Sequence, residues 1–80
     1  MKTTIPLYEY FENRNTFTGS YKSFNVKLVA GKENIKVYTW AGKFCLDKTS
    51  DFSENEFEQS EEGYNAALAW ISEREDEILS

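Results

Sequence analysis

Eighty residues with a net charge of −5, 40% hydrophobic and 16% aromatic, supply material for one small core, and a single domain is expected. The lack of histidine removes the commonest general base and metal ligand near neutrality, and one cysteine, Cys45, excludes an intrachain disulfide or a multi-cysteine metal set within the chain. No stretch approaches the roughly 18 apolar residues of a membrane span, and the first residues lack the apolar run of a signal peptide, so a cytoplasmic protein is expected.

In chain order, Pro6 is suited to open a short helix presenting Leu7, Tyr10 and Phe11, although Leu7, Glu9 and Phe11 also fit a strand. The short helix is preferred. Phe24, Val26, Leu28 and Ala30 then alternate with Ser23, Asn25, Lys27 and Val29, the two-residue period of a strand with one buried face. Gly31 to Asn34 reads as a turn. Ile35 to Trp40, rich in β-branched and aromatic residues, returns antiparallel and is broken by Ala41 and Gly42. Residues 43–47 are expected to add a third strand, in which Cys45 is a small packing residue.

The composition of Asp47 to Asn55 favours a surface loop, anchored to the core by Phe57. Tyr64, Ala67, Leu68, Ile71, Glu75 and Ile78, with Trp70 at the edge of the stripe, recur at helical spacing. Ser60 is a fitting N-cap, with Glu61 and Glu62 at the positive end of the helix dipole. Glycine at position 63 interrupts the reciprocal capping box and predicts close packing against a strand. The fold class is therefore α+β: a three-stranded antiparallel sheet, a carboxy-terminal amphipathic helix on one face and a short amino-terminal helix, in one domain spanning residues 1–80.

Charge is segregated along this frame. Residues 1–50 hold eight bases against four acids, +4, whereas residues 51–80 hold ten acids against Arg74 alone, −9. A one-sign field of that density repels nucleic acid and attracts basic protein surfaces. Acids also crowd the carboxyl end of the helix, where the dipole disfavours each exposed one by roughly 0.3–1 kcal/mol, so local stability does not account for them. Solvation of a helix end is the plain explanation of such a run, and partner binding is the functional one. The residues expected to contact a partner are Asp51, Glu54, Glu56, Glu58, Glu73, Glu75, Asp76 and Glu77, with exposed Tyr38 or Trp40 as aromatic anchors.

Three chemistries weigh less. Asp47, Thr49, Asp51, Ser53, Asn55 and Glu58 match the ligand spacing of a calcium loop, but Phe52 stands where the tight turn needs glycine and a strand precedes in place of a helix. No metal or cofactor is expected. A catalytic thiolate at Cys45 would need a neighbouring base or cation, which a strand position does not supply, so no enzyme is expected. Tyr21, Lys27, Lys36, Tyr38, Trp40 and Lys43 on an open sheet face would suit a single-stranded nucleic acid, the alternative function, although a domain of pI 4.6 is repelled by phosphate.

In size, acidity and the passage Phe57-Glu58-Gln59-Ser60-Glu61-Glu62 followed by Trp70, the chain resembles small phage-encoded anti-CRISPR inhibitors. The resemblance implies a non-catalytic protein that binds a defence ribonucleoprotein and blocks its access to DNA or its nuclease. It assigns no individual site residue.

Overall fold

The computed structural model describes residues 2–42 and 52–79, which form α1 (Tyr8–Glu12), β1 (Thr16–Tyr21), β2 (Phe24–Ala30), β3 (Asn34–Ala41), β4 (Ser53–Glu58) and α2 (Glu61–Leu79). The four strands make an antiparallel sheet in sequential order. Among the described residues, no helix is long and apolar enough to cross a membrane.

The central hairpin follows from the alternation in the sequence. Phe24, Val26, Leu28 and Ala30 are buried along β2, and their register partners on β3 include Val37 for Leu28 and Ile35 for Ala30. The turn between them closes through the Gly31 amide, which donates to the Asn34 carbonyl at 2.7 Å. Gly42, at φ 115°, follows the end of β3 in the left-handed region that glycine enters freely.

Two strands depart from expectation, so the sheet has four strands where three were anticipated. β1 was not anticipated because its six residues bury no side chain fully: Phe17 and Tyr21 are half-buried on the core face and threonine, serine and glycine supply the rest. β4 occupies the end of the expected loop, since Ser53, Asn55 and Phe57 turn inward by alternation while the intervening glutamates turn out. Tertiary pairing with β3 overrides the weak strand propensity of Asn and Glu. The expected strand over residues 43–47, with Cys45, lies outside the described residues.

The core lies between the sheet and α2, with Phe11 of α1 closing one end; Tyr64, Ala67 and Ile71 bring the helical stripe onto Val26, Leu28, Ile35 and Val37. Phe57 packs against this cluster, its ring centroid 6.2 Å from that of Trp70. Ser60 caps α2 as expected: its hydroxyl oxygen accepts the Gly63 amide at 3.1 Å.

Gly63 explains how closely α2 approaches β4. An added Cβ would stand 1.9 Å from the Glu58 carbonyl oxygen and 2.7 Å from its carbon. Alanine would gain up to ~1 kcal/mol of helix propensity. Overpacking costs typically ~1–3 kcal/mol, and a backbone atom cannot rotate aside, so the clash dominates. Gly63→Ala is therefore expected to lower the unfolding free energy by a net ~1–2 kcal/mol, read as a lower urea midpoint, and a raised midpoint would contradict the close approach.

Candidate functional site

Strand geometry sorts the carboxylates before any partner is considered. Along β4 the side chains of Glu54, Glu56 and Glu58 are exposed and stand on the face opposite Ser53, Asn55 and Phe57, hence away from α2. Two-residue steps on a strand put successive carboxylates about 6.8 Å apart. Across the ladder they meet Tyr38, Lys36 and Asn34 respectively. The Asn34 side-chain amide donates to a Glu56 carboxylate oxygen, and the Ser60 hydroxyl donates to Glu58 at 3.3 Å. Beyond Glu58, Glu61 and Glu62 are exposed in the first turn of α2, where the helix dipole favours them.

The carboxyl-terminal acids form a different group. Glu73, Asp76 and Glu77 are exposed on α2, and Arg74 pairs with Glu77 while its Nε donates to the buried Thr39 hydroxyl at 3.3 Å. Because α2 covers the opposite side of the sheet, one flat partner cannot touch this group and the β4 glutamates together. Asp51 lies outside the described residues.

Two expected contact residues are withdrawn from the surface. Glu75 is 2% exposed, and its carboxylate accepts the Lys2 amide at 2.6 Å, the Thr3 amide at 2.9 Å and the Thr3 hydroxyl at 2.6 Å. It lies on the buried stripe of α2 and holds the amino-terminal segment, so it is structural. Trp40 is 4% exposed and cannot serve as an exposed anchor. Tyr38 is half-buried on the open face, 6.1 Å from the ring of Phe52, which is itself 43% exposed.

The residues gathered for a nucleic-acid platform separate. Lys27, Lys36 and Tyr38 share the open face by register, but Tyr21 pairs with Phe24 and takes the core face, with the Lys22 ammonium 5.6 Å from its ring centroid. Glu54 and Glu56 adjoin Tyr38 and Lys36 and place carboxylates where phosphates would lie. Lys43 lies outside the described residues. Of the calcium-loop spacing, Ser53 and Asn55 point to one face of β4 and Glu58 to the other, so these three do not converge on an ion. No group of three or more potential metal ligands occurs among the described residues.

The structure adds a feature that sequence reasoning missed. A cleft of about 350 Å³ separates α1 from the first turns of α2, lined by Leu7, Tyr8, Glu9, Glu12, Glu61, Tyr64 and Asn65. Tyr8 and Tyr64 stand with ring centroids 5.8 Å apart at 49°. The Tyr64 hydroxyl donates to the Pro6 carbonyl at 2.5 Å, and burial pushes its pKa up, keeping it a donor. The Pro6 signal located α1, but only tertiary packing sets it beside α2.

No protein-family model, curated protein or solved structure matches the chain.

Burial alone would raise the pKa of the Glu75 carboxyl, but the Thr3 hydroxyl and the amides of Lys2 and Thr3 outweigh it and hold the group below its ordinary value of 4.5. With a depressed folded value, the stabilisation is complete above pH 4.5 and is lost as pH falls through the lower folded value. In Glu75→Gln, one acceptor oxygen becomes a donor facing another donor, and the expected cost at pH 7 is ~1–3 kcal/mol. Urea titrations of both proteins from pH 7 to 3 are expected to show the gap narrowing only below pH 4.5; a gap independent of pH would remove the charge from the account.

Proposed function

We propose that this chain is a non-enzymatic binding protein that uses the exposed glutamate row of β4 to occupy a basic surface of a partner protein. The observation that carries the reading is the alignment of Glu54, Glu56 and Glu58 on one face of a sheet edge. Their spacing of about 6.8 Å is twice the roughly 3.4 Å axial rise per phosphate on one DNA strand. A rigid ladder holds the charges in place, so a phosphate-binding channel meets a preorganised anion row without the ordering cost of a flexible acidic tail.

The partner class follows from that spacing: a complex that handles nucleic acid through a basic channel. The resemblance to anti-CRISPR inhibitors supports a CRISPR ribonucleoprotein as one such partner, blocked by mimicry or by steric cover. Attraction between a carboxylate row and a basic channel accelerates encounter and weakens with salt. The cytoplasm is where such a partner works.

The test compares two sets of neutralised acids. The combined variant Glu54→Gln, Glu56→Gln, Glu58→Gln is expected to keep its melting temperature within about 4 °C, the shift produced by roughly 1 kcal/mol. It is expected to lose at least about tenfold in capture of nucleic-acid-handling complexes from bacterial lysate, a change of roughly 1.4 kcal/mol. Neutralising Glu73, Asp76 and Glu77 is expected to leave capture intact. The unmodified protein is expected to leave single-stranded and duplex DNA unshifted on a gel. Equal capture by the β4 variant would refute the reading, and a tight DNA shift at moderate salt would replace it with the nucleic-acid alternative.

A further inference from the structure

We propose that the cleft between α1 and α2 is a receptor for an arginine side chain of the basic partner. Its walls and rim supply the two things a guanidinium seeks, an aromatic face and carboxylates. Half-buried Tyr8 supplies the aromatic face, backed by the buried ring of Tyr64 at a centroid distance of 5.8 Å. Glu9, Glu12 and Glu61 are exposed around it, and no base joins them in the lining.

Those three carboxylates have no ion pair or side-chain hydrogen bond among the described residues, in contrast to Glu56, Glu58 and Glu75, which are engaged by Asn34, Ser60 and the amino-terminal segment. Three negative charges without an ion-pair partner among the described residues, set around one concavity, raise the local concentration of cations. The volume of about 350 Å³ sits at the small end of the roughly 300–1,000 Å³ found for ligand sites and suits one long side chain better than a cofactor. Leu7, 74% exposed at the mouth, gives the methylene stem of an arginine an apolar surface to cross. Planar and fork-shaped, the guanidinium can stack on tyrosine while its donors reach carboxylates on both helices.

The assignment rests on the reading of a basic partner, but its test needs no partner. Nα-acetyl-arginine amide is titrated into the intact protein while the ring proton resonances of Tyr8 and Tyr64 are followed by NMR, with the neutral Nα-acetyl-citrulline amide as control. Saturable shifts are expected with the arginine probe alone, and a loss of at least tenfold in affinity when Glu9, Glu12 and Glu61 are all changed to Gln. If that variant melts earlier, Glu12→Gln alone, at an exposed position, is expected to weaken binding severalfold with melting unchanged. No saturable shift, an equal response to citrulline, or undiminished binding by the glutamine variants would overturn the assignment.

The glutamine variant of β4 separates the two proposals, since it is expected to retain arginine binding. Absent arginine binding together with lost capture by that variant sinks the cleft alone. Arginine binding together with intact capture sinks the β4 reading and leaves the cleft standing.

Discussion

One buried carboxylate decides where the amino-terminal segment lies. Glu75 receives three hydrogen bonds from Lys2 and Thr3, residues more than seventy positions away in sequence. Such a contact carries a loop-closure cost that local structure cannot repay, so it needs strong bonds, and bonds to a charged acceptor are worth more than neutral ones. With the segment tied at that point, Pro6 reaches the Tyr64 hydroxyl, and Gln59 donates to the Phe11 carbonyl at 2.6 Å. α1 is then held before its start by Tyr64 of α2 and within its length by Gln59, between β4 and α2. The cleft between them exists because of that docking, so the chain of dependence runs from a buried ion acceptor to a surface concavity.

The surface charges divide by the part of the fold that holds them. Acids in the first turn of α2 agree with the helix dipole, those on β4 sit on a rigid ladder, and those near the carboxyl end of α2 oppose the dipole. Only the last group is locally unfavourable, and Arg74 offsets part of it by pairing with Glu77 and Thr39. Rigidity distinguishes the first two. A carboxylate on a paired strand or a capped helix start is held within a narrow range of positions, which is what recognition of a spaced cationic surface requires.

The patterns most visible in the sequence were those tied to a period. The β2 alternation, the stripe of α2, the Ser60 cap and the role of Gly63 were all legible, because each is set by neighbours within a few residues. β1 and β4 were hidden because Thr, Ser, Asn and Glu carry weak strand signals, and their pairing with β2 and β3 decides the matter. Glu75 shows a further limit: in the sequence it stood both in the acidic run and on the apolar stripe. The stripe was the better guide, since a charged residue at a core-facing helical position is retained when a distant donor set satisfies it. The exposure of Glu54, Glu56 and Glu58 was legible in their charge, whereas the cleft depends on packing between segments some fifty residues apart and left no trace in spacing.

Exposed charge on an edge strand also prevents unwanted pairing of sheets, and this gives the β4 glutamates a competing explanation. The opposite edge distinguishes the two. β1 carries no charged residue over Thr16–Tyr21, although it faces the same hazard at the other side of the sheet. The chain protects that edge by different means: the Tyr10 hydroxyl donates to the Thr16 carbonyl at 3.1 Å, and Arg14 and Lys22, both in left-handed backbone conformations, flank the strand. An edge in this fold is thus managed without a row of three like charges. Like charges at two-residue spacing repel one another, a cost edge protection does not require, and the proposed role of the row in binding a basic surface would supply the reason to keep it.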